Sequence, residues 1–92
     1  MTDEEIQSVC EDLWVIEPGY LDKLVEEGHA CQNNRMLGGA HHVPGLRLSI
    51  DGLVGRMAAG HTIESIAEEA GVEEAYLRLL AEKAKAWRDA ND

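Results

Sequence analysis

Two apolar helical patterns separated by one glycine are the feature that most limits what this chain can fold into. Ile63 and Ile66 share one face of a short helix. Leu77 and Leu80 share one face of the helix that follows. Gly71 lies between the two patterns and is suited to a tight turn. The spacing therefore predicts a helix-turn-helix, an arrangement by which many proteins place a helix in the major groove of DNA.

The charge of the chain argues against DNA as its main partner. Its 92 residues include eight Lys and Arg but 18 Asp and Glu, which gives a net charge of −10. Such a charge favours basic partners and repels DNA and anionic membranes, although a salt-rich host cytoplasm would also select it. The second helix of the pair opens with Glu73 and Glu74, which would oppose the approach of phosphates.

The first 30 residues predict an acidic helical segment. Residues 3–16 have helical apolar periodicity, and Thr2 is placed to cap the N-terminus of that helix. Residues 20–27 predict a second short helix, which ends at Gly28. The side chains expected to face inward from it are Leu21, Leu24 and Val25.

Residues 31–92 predict a mainly α helix-turn-helix domain with a short β element. Val43 and the alternation over residues 46–50 favour a small sheet. We expect structural roles for glycines at turns and helix ends and for one arginine on the strand: Gly38, Gly39, Gly45, Arg47, Gly60 and Gly71. Asp51 and Thr62 are expected to cap two helices. Residues 73–89 should form the longest helix, with an apolar stripe made of Leu77, Leu80, Ala81, Ala84 and Trp87.

From Leu37 onward the chain resembles the domain of unknown function 433 family of small prokaryotic proteins. The shared pattern is a Gly-Gly turn, a Gly-x-Arg-[Ile/Leu]-x-[Val/Ile] strand, a helix ending in Ala-x-Gly and a short helix-turn-helix. It spans about residues 35–88 without a gap, and the matching positions are Leu37, Gly38, Gly39, Gly45, Arg47, Leu48, Ile50, Leu53, Ala58, Gly60, Ile63, Glu64, Ile66 and Glu68.

The resemblance implies a three-helix core, homeodomain-like or winged-helix-like, with a small β element and assembly as a homodimer. Some members of that family are antitoxins encoded beside nuclease toxins of the PIN type. The resemblance implies no enzymatic activity. It does not extend to the acidic first 30 residues.

Two groups of side chains are candidates for contact with a partner. The acidic and aromatic residues of the N-terminal segment suit a basic protein: Glu11, Asp12, Trp14, Glu17, Glu26 and Glu27. Tyr20 is a further candidate anchor for a partner, and Trp14 has an alternative role, closing the core over the last helix. Any contact with DNA would fall to residues of the last helix: Tyr76, Arg78, Lys83, Lys85 and Arg88.

Arg47 allows two interpretations. It could fork onto a carboxylate of a partner, or it could form an ion pair inside the fold with Asp51 or Glu64. The second interpretation is the favoured one, because arginine forks commonly fasten a strand to the end of a helix.

Neither a metal site nor a catalytic set emerges from the sequence. Imidazole and thiolate groups suit zinc, but the spacing of His29, Cys31, His41 and His42 matches no familiar ligand frame. Cys10 lies on an apolar helix face, where burial is more common than nucleophilic chemistry. We therefore expect no cofactor and no enzymatic activity.

These features together predict a protein-binding module, most plausibly an antitoxin-like protein that neutralises a basic PIN-type ribonuclease toxin. The alternatives are a DNA-binding repressor that regulates its own operon and an acidic inhibitor that mimics DNA. We expect a cytoplasmic location, because the sequence has only two cysteines, no secretory signal and no apolar run that spans a bilayer.

Overall fold

Five helices and one two-stranded sheet make up the part of the chain that the computed structural model describes, namely residues 2–14, 18–32, 41–46 and 48–91. In chain order the elements are α1 (Asp3–Trp14), α2 (Pro18–Glu26), β1 (Cys31–Gln32), β2 (His41–His42), α3 (Ile50–Ala58), α4 (Ile63–Ala70) and α5 (Glu74–Asn91). The fold is thus mainly helical with a small sheet. None of the described helices is long and apolar enough to cross a membrane.

The N-termini of two helices are capped as predicted. The Thr2 hydroxyl accepts a hydrogen bond from the backbone N–H of Glu5 at 3.2 Å. The Thr62 hydroxyl accepts one from the backbone N–H of Ser65 at 3.1 Å. Each bond satisfies a donor that the helix leaves without an intrahelical partner, so it fixes where the helix begins.

The cap predicted for α3 is wrong. Ser49, not Asp51, occupies the cap position, and its hydroxyl accepts a hydrogen bond from the backbone N–H of Gly52 at 3.0 Å. Asp51 lies in the first turn of α3, where its negative charge suits the positive end of the helix.

The strand predicted over residues 46–50 is also wrong. Residues 43–46 form a turn closed by a hydrogen bond from the N–H of Leu46 to the carbonyl of Val43 at 3.0 Å. Gly45 has φ +81, the backbone geometry that the third position of a type II turn requires. Ile50 is already the first residue of α3, and the described residues of this stretch form one isolated bridge, between His42 and Ser49.

The sheet instead pairs two segments of two residues each. Strands β1 and β2 are antiparallel, with Cys31 opposite His42 and Gln32 opposite His41. The two predicted turn positions Gly38 and Gly39 lie outside the described residues.

One hydrophobic core joins all five helices. Its buried apolar side chains are Ile6, Val9, Cys10, Tyr20, Leu24, Ala30, Val43, Ile50, Leu53, Val54, Met57, Ile63, Ile66, Leu77, Leu80, Ala81 and Ala84. Helix α1 packs on α3 and α5.

Helix α2 faces the core through two of the three residues expected, because Leu24 is buried and Leu21 packs against the core. Tyr20 and Leu24 are buried, whereas Val25 is exposed. The Tyr20 hydroxyl donates a hydrogen bond to the carbonyl of Leu80 at 2.7 Å. Tyr20 therefore fastens α2 to α5 inside the core and is not an exposed anchor for a partner.

Gly19 lies against Trp87 where α2 meets α5. A Cβ atom built at this position would lie 2.7 and 2.8 Å from Cζ2 and Cη2 of Trp87, closer than real contacts allow. The half-buried Trp87 ring thus occupies the space that a side chain at position 19 would need. Small size at position 19 is what lets the C-terminal end of α5 pack on α2.

Candidate partner-binding surfaces

Three of the four basic residues of α5 are paired with acidic residues of the N-terminal segment. Lys83 Nζ lies 3.1 Å from Glu27 Oε1, and Lys85 Nζ lies 2.9 Å from Glu5 Oε1. A third pair joins Arg88 Nη1 to Asp12 Oδ2 at 3.0 Å. Two of these pairs, Lys83–Glu27 and Arg88–Asp12, join a residue predicted for DNA contact to a residue predicted for contact with a basic partner.

The ion pair between Glu5 of α1 and Lys85 of α5 changes the pKa of both side chains. A hydrogen bond and the positive charge of Lys85 lower the pKa of Glu5 below its usual value. The same hydrogen bond and the carboxylate charge raise the pKa of Lys85. Because both groups are open to solvent, the pair orients the helices and neutralises charge more than it adds to stability.

The remaining predicted DNA-contact residues differ in their environments. Tyr76 is half-buried, and its hydroxyl donates a hydrogen bond to the carbonyl of His29 at 2.7 Å. Burial raises the pKa of Tyr76 to about 12, with a smaller contribution from nearby Cys31. Arg78 is exposed and forms no ion pair with the described residues. Of the five candidates, Arg78 is the one whose charged group points to solvent without a salt bridge in the described chain.

The predicted acidic partner-binding residues are likewise divided by the fold. Asp12 and Glu27 have the intramolecular ion pairs given above, and Glu11 accepts a hydrogen bond from the Gln7 side chain at 3.2 Å. Glu26 is exposed. Glu17, the side chain of Trp14 and Arg47 lie outside the described residues.

A separate group of acids lies at the turn between α4 and α5. Glu73 and Glu74 are exposed, and neither forms an ion pair with a described residue. On α4, Glu64 and Glu68 are exposed in the same way, while Glu69 lies 3.5 Å from Arg56. Glu73 and Glu74 therefore present negative charge at this turn that no described cation neutralises.

An apolar groove of about 270 Å³ adjoins these acids. It is lined by residues of the 43–46 turn and of the α4–α5 connection, namely Val43, Leu46, Gly71, Val72, Glu73 and Tyr76. Sequence reasoning missed this groove because it assigned Leu46 to a strand. An apolar residue directly after a Pro-Gly turn was the signal that could have indicated an exposed side chain.

A second and larger cleft lies between α2 and α5, with a volume of about 430 Å³. Its lining mixes aromatic and aliphatic side chains with the Lys83–Glu27 ion pair: Tyr20, Lys23, Leu24, Glu27, Lys83, Ala86, Trp87 and Ala90. The ion pair neutralises Lys83, and Lys23 is the other cation of the lining.

The histidines and cysteines do not gather into a ligand set. Among the described residues, no group of three or more His, Cys, Asp or Glu side chains is arranged to hold a metal ion. His41 Nε2 lies 3.2 Å from Asp22 Oδ1, and His42 is buried. Burial of Cys10 raises its pKa to about 12, so its thiol stays protonated at neutral pH.

Comparison with known proteins identifies no relative of this chain. No family model matches it, and neither the curated proteins nor the solved structures contain a match. The comparisons therefore assign the chain to no family.

Proposed function

We propose that this protein is a non-enzymatic protein-binding module, antitoxin-like, that neutralises a basic ribonuclease of the PIN type. The class of partner comes from the resemblance to the domain of unknown function 433 family and from the charge of −10. In this proposal α4, the turn at Gly71 and α5 form a helix-turn-helix that acts as a scaffold, with α3 as the third helix of its core.

The observation that carries the proposal is the pairing of the α5 cations. A DNA-binding protein gains most of its affinity from Lys and Arg side chains that neutralise phosphates. Here Lys83, Lys85 and Arg88 already have carboxylate partners within 3.1 Å. Helix α5, which would enter the major groove of DNA, also begins beside the exposed acids Glu73 and Glu74. Binding to DNA would require breaking the ion pairs and bringing these acids towards phosphates.

The same charge distribution favours a cationic protein. A net negative field speeds the encounter with a basic partner, and acids on an ordered surface then fix its orientation. Glu11 and Glu26 are the exposed N-terminal candidates for this contact. Asp12 and Glu27 would have to exchange their internal partners for those of the toxin.

To test the proposal, this protein is purified from its native host at moderate salt together with whatever binds to it. This protein and the one that copurifies with it are then each purified alone. The proposal expects a small basic nuclease that copurifies in a fixed ratio and loses its ribonuclease activity when the pure proteins are mixed. Gel-shift titration with the protein's own upstream DNA is the matched counter-test. A specific, salt-sensitive shift that disappears in Arg78→Ala, without nuclease inhibition, would favour the repressor instead.

A further inference from the structure

We propose that the groove between the 43–46 turn and the start of α5 is a docking site for an aliphatic side chain on a basic segment of the protein partner. This inference rests on the proposed function, since it assumes a basic partner. It adds the place of contact and the chemistry that is recognised there.

The first argument is the apolar surface that the fold leaves open. Leu46 is 40 % exposed and is, with Val25 at 36 %, one of the two large hydrophobic side chains exposed in the described chain. In the groove Leu46 is joined by Val72 and Tyr76, which are half-buried, above buried Val43. Scattered exposed apolar residues need no explanation, but a concave group of them is typical of interaction sites.

The second argument is that hydrogen bonds fix the walls of the groove. The Tyr76 hydroxyl is held by the His29 carbonyl at 2.7 Å. The turn on the other side is closed at Leu46, and the N–H of Val43 donates to the carbonyl of Leu48 at 2.9 Å. A groove whose walls are already ordered loses less entropy when it binds a side chain.

The third argument is charge, which decides between possible occupants. Glu73 lines the groove and Glu74 follows it, and both are exposed without an ion pair among the described residues. A second copy of this chain would bring the same acids to the contact, and DNA and anionic lipids would also be repelled. Lysine or arginine residues beside an aliphatic anchor satisfy both the acids and the apolar walls.

The size of the groove fits an anchor and not a separate small molecule. Its volume of about 270 Å³ lies below the range of about 300–1,000 Å³ that is usual for small-molecule sites. The occupant is therefore best described as one side chain inserted from a partner surface.

The test uses the full chain labelled with ¹⁵N and two synthetic peptides. One peptide consists of lysine, glycine and serine with a single central leucine, and the other has serine in place of that leucine. The proposal expects chemical-shift changes centred on Leu46, Val72 and Tyr76. It also expects the serine peptide to bind at least about tenfold more weakly, as the loss of one buried aliphatic side chain implies.

Paired variants separate the groove from the general charge of the protein. Leu46→Ser and Glu73→Lys should each weaken binding of the leucine peptide by several-fold. Val25→Ser and Glu82→Lys change the same kinds of exposed group elsewhere and should leave binding unchanged. All four positions are at the surface, and a ¹⁵N spectrum of each variant verifies that it has folded.

Three results would overturn the inference. They are equal binding of the two peptides, shift changes centred on the N-terminal acids, and no binding of either peptide. None of these three results contradicts the proposed function, which is tested separately by copurification and nuclease inhibition. A toxin that is neutralised equally well by Leu46→Ser and by the parent protein would leave that function standing and remove only the groove.

Discussion

Raising the pH from neutral to about 11 is expected to bring this protein close to unfolding, because two groups that lose protons in alkali are buried in its core. Cys10 is 0 % exposed and Tyr20 is 3 % exposed. Burial raises the pKa of Cys10 from 9.0 to about 12. Burial also raises the pKa of Tyr20 above its ordinary value of 10.0. The folded chain therefore keeps protons that the unfolded chain releases, so stability that is fully present below about pH 9 is lost as the pH rises further.

The size of the effect follows from the distance between each pKa and the working pH. In the unfolded chain the pKa of the Cys10 thiol lies about two units below pH 11. At 1.36 kcal/mol per unit, this difference lowers the stability by about 3 kcal/mol. Tyr20, whose unfolded pKa lies about one unit below pH 11, adds about 1 kcal/mol, and half-buried Tyr76, whose pKa is also raised, adds less because solvent screens it. The sum of about 4 kcal/mol is comparable with the whole stability of a small domain, which starts at about 5 kcal/mol.

The assay is guanidinium unfolding followed by circular dichroism at several pH values between 7 and 11, with a reductant present. Cys10→Ala is the decisive variant. It should be less stable than the parent at pH 7, because a buried sulfur is lost, but its stability should fall by about 3 kcal/mol less between pH 7 and 11. Lysines and exposed groups titrate equally in both proteins and cancel in the difference. Parallel stability curves for the two proteins would refute the reasoning.

Three further substitutions have defined expected outcomes. Gly19→Ala should destabilise the fold by about 1–3 kcal/mol, because its Cβ overlaps the Trp87 ring, and a changed tryptophan emission should accompany the loss; an increase in stability, as helix propensity alone predicts, would contradict this. Thr62→Ala should cost about 1 kcal/mol in denaturant unfolding, since the hydrogen bond from the Ser65 N–H is lost, whereas an unchanged midpoint would show that the cap is dispensable. Gly71→Ala should cost about 1–2 kcal/mol through its φ of +71, with Gly71→Asn milder, and equal effects of the two would argue against backbone strain.

The helical part of this fold could be predicted from the sequence because its signals are local. The inward positions of α4 and α5 follow from apolar spacing, and Ile66, Leu77 and Leu80 are all fully buried as that spacing requires. The Thr62 cap was also predictable, since a hydroxyl just before an apolar helical pattern needs no tertiary partner to act. Periodicity and capping thus determined the elements that are long and regular.

The β element was harder to predict because its length depends on competition between neighbouring elements. Alternation over residues 46–50 is compatible with a strand. The turn at Gly45 comes directly before this stretch and the Ser49 cap starts a helix within it, so little extended chain is left between them. A hydroxyl at position 49 and a carboxylate at position 51 are both good caps by residue type. The choice of Ser49 depends on Ile50, which is fully buried as the first residue of α3.

The candidate surfaces could not be predicted from charge counts, because a count does not say which charges meet. Asp12 and Glu27 belong to the most acidic part of the chain, yet in the fold they face cations of α5 from far along the sequence. Glu73 and Glu74 lie near basic residues in sequence, yet they remain exposed and without an ion pair in the described structure. The packing of α1 and α2 on α5 is what neutralises Asp12 and Glu27.

This redistribution of charge gives the N-terminal segment a structural role besides the contact with a partner that we propose. By holding Lys83, Lys85 and Arg88, its acids remove from α5 the cations that a DNA reader with this arrangement of helices would use. The same pairs fix α1 and α2 against α5, while the acids beside Leu46 and Val72 stay open next to an apolar groove. A chain that lacked the first two helices would leave these three cations of α5 without their ion-pair partners. The acidic segment therefore determines which cations of α5 are neutralised within the fold.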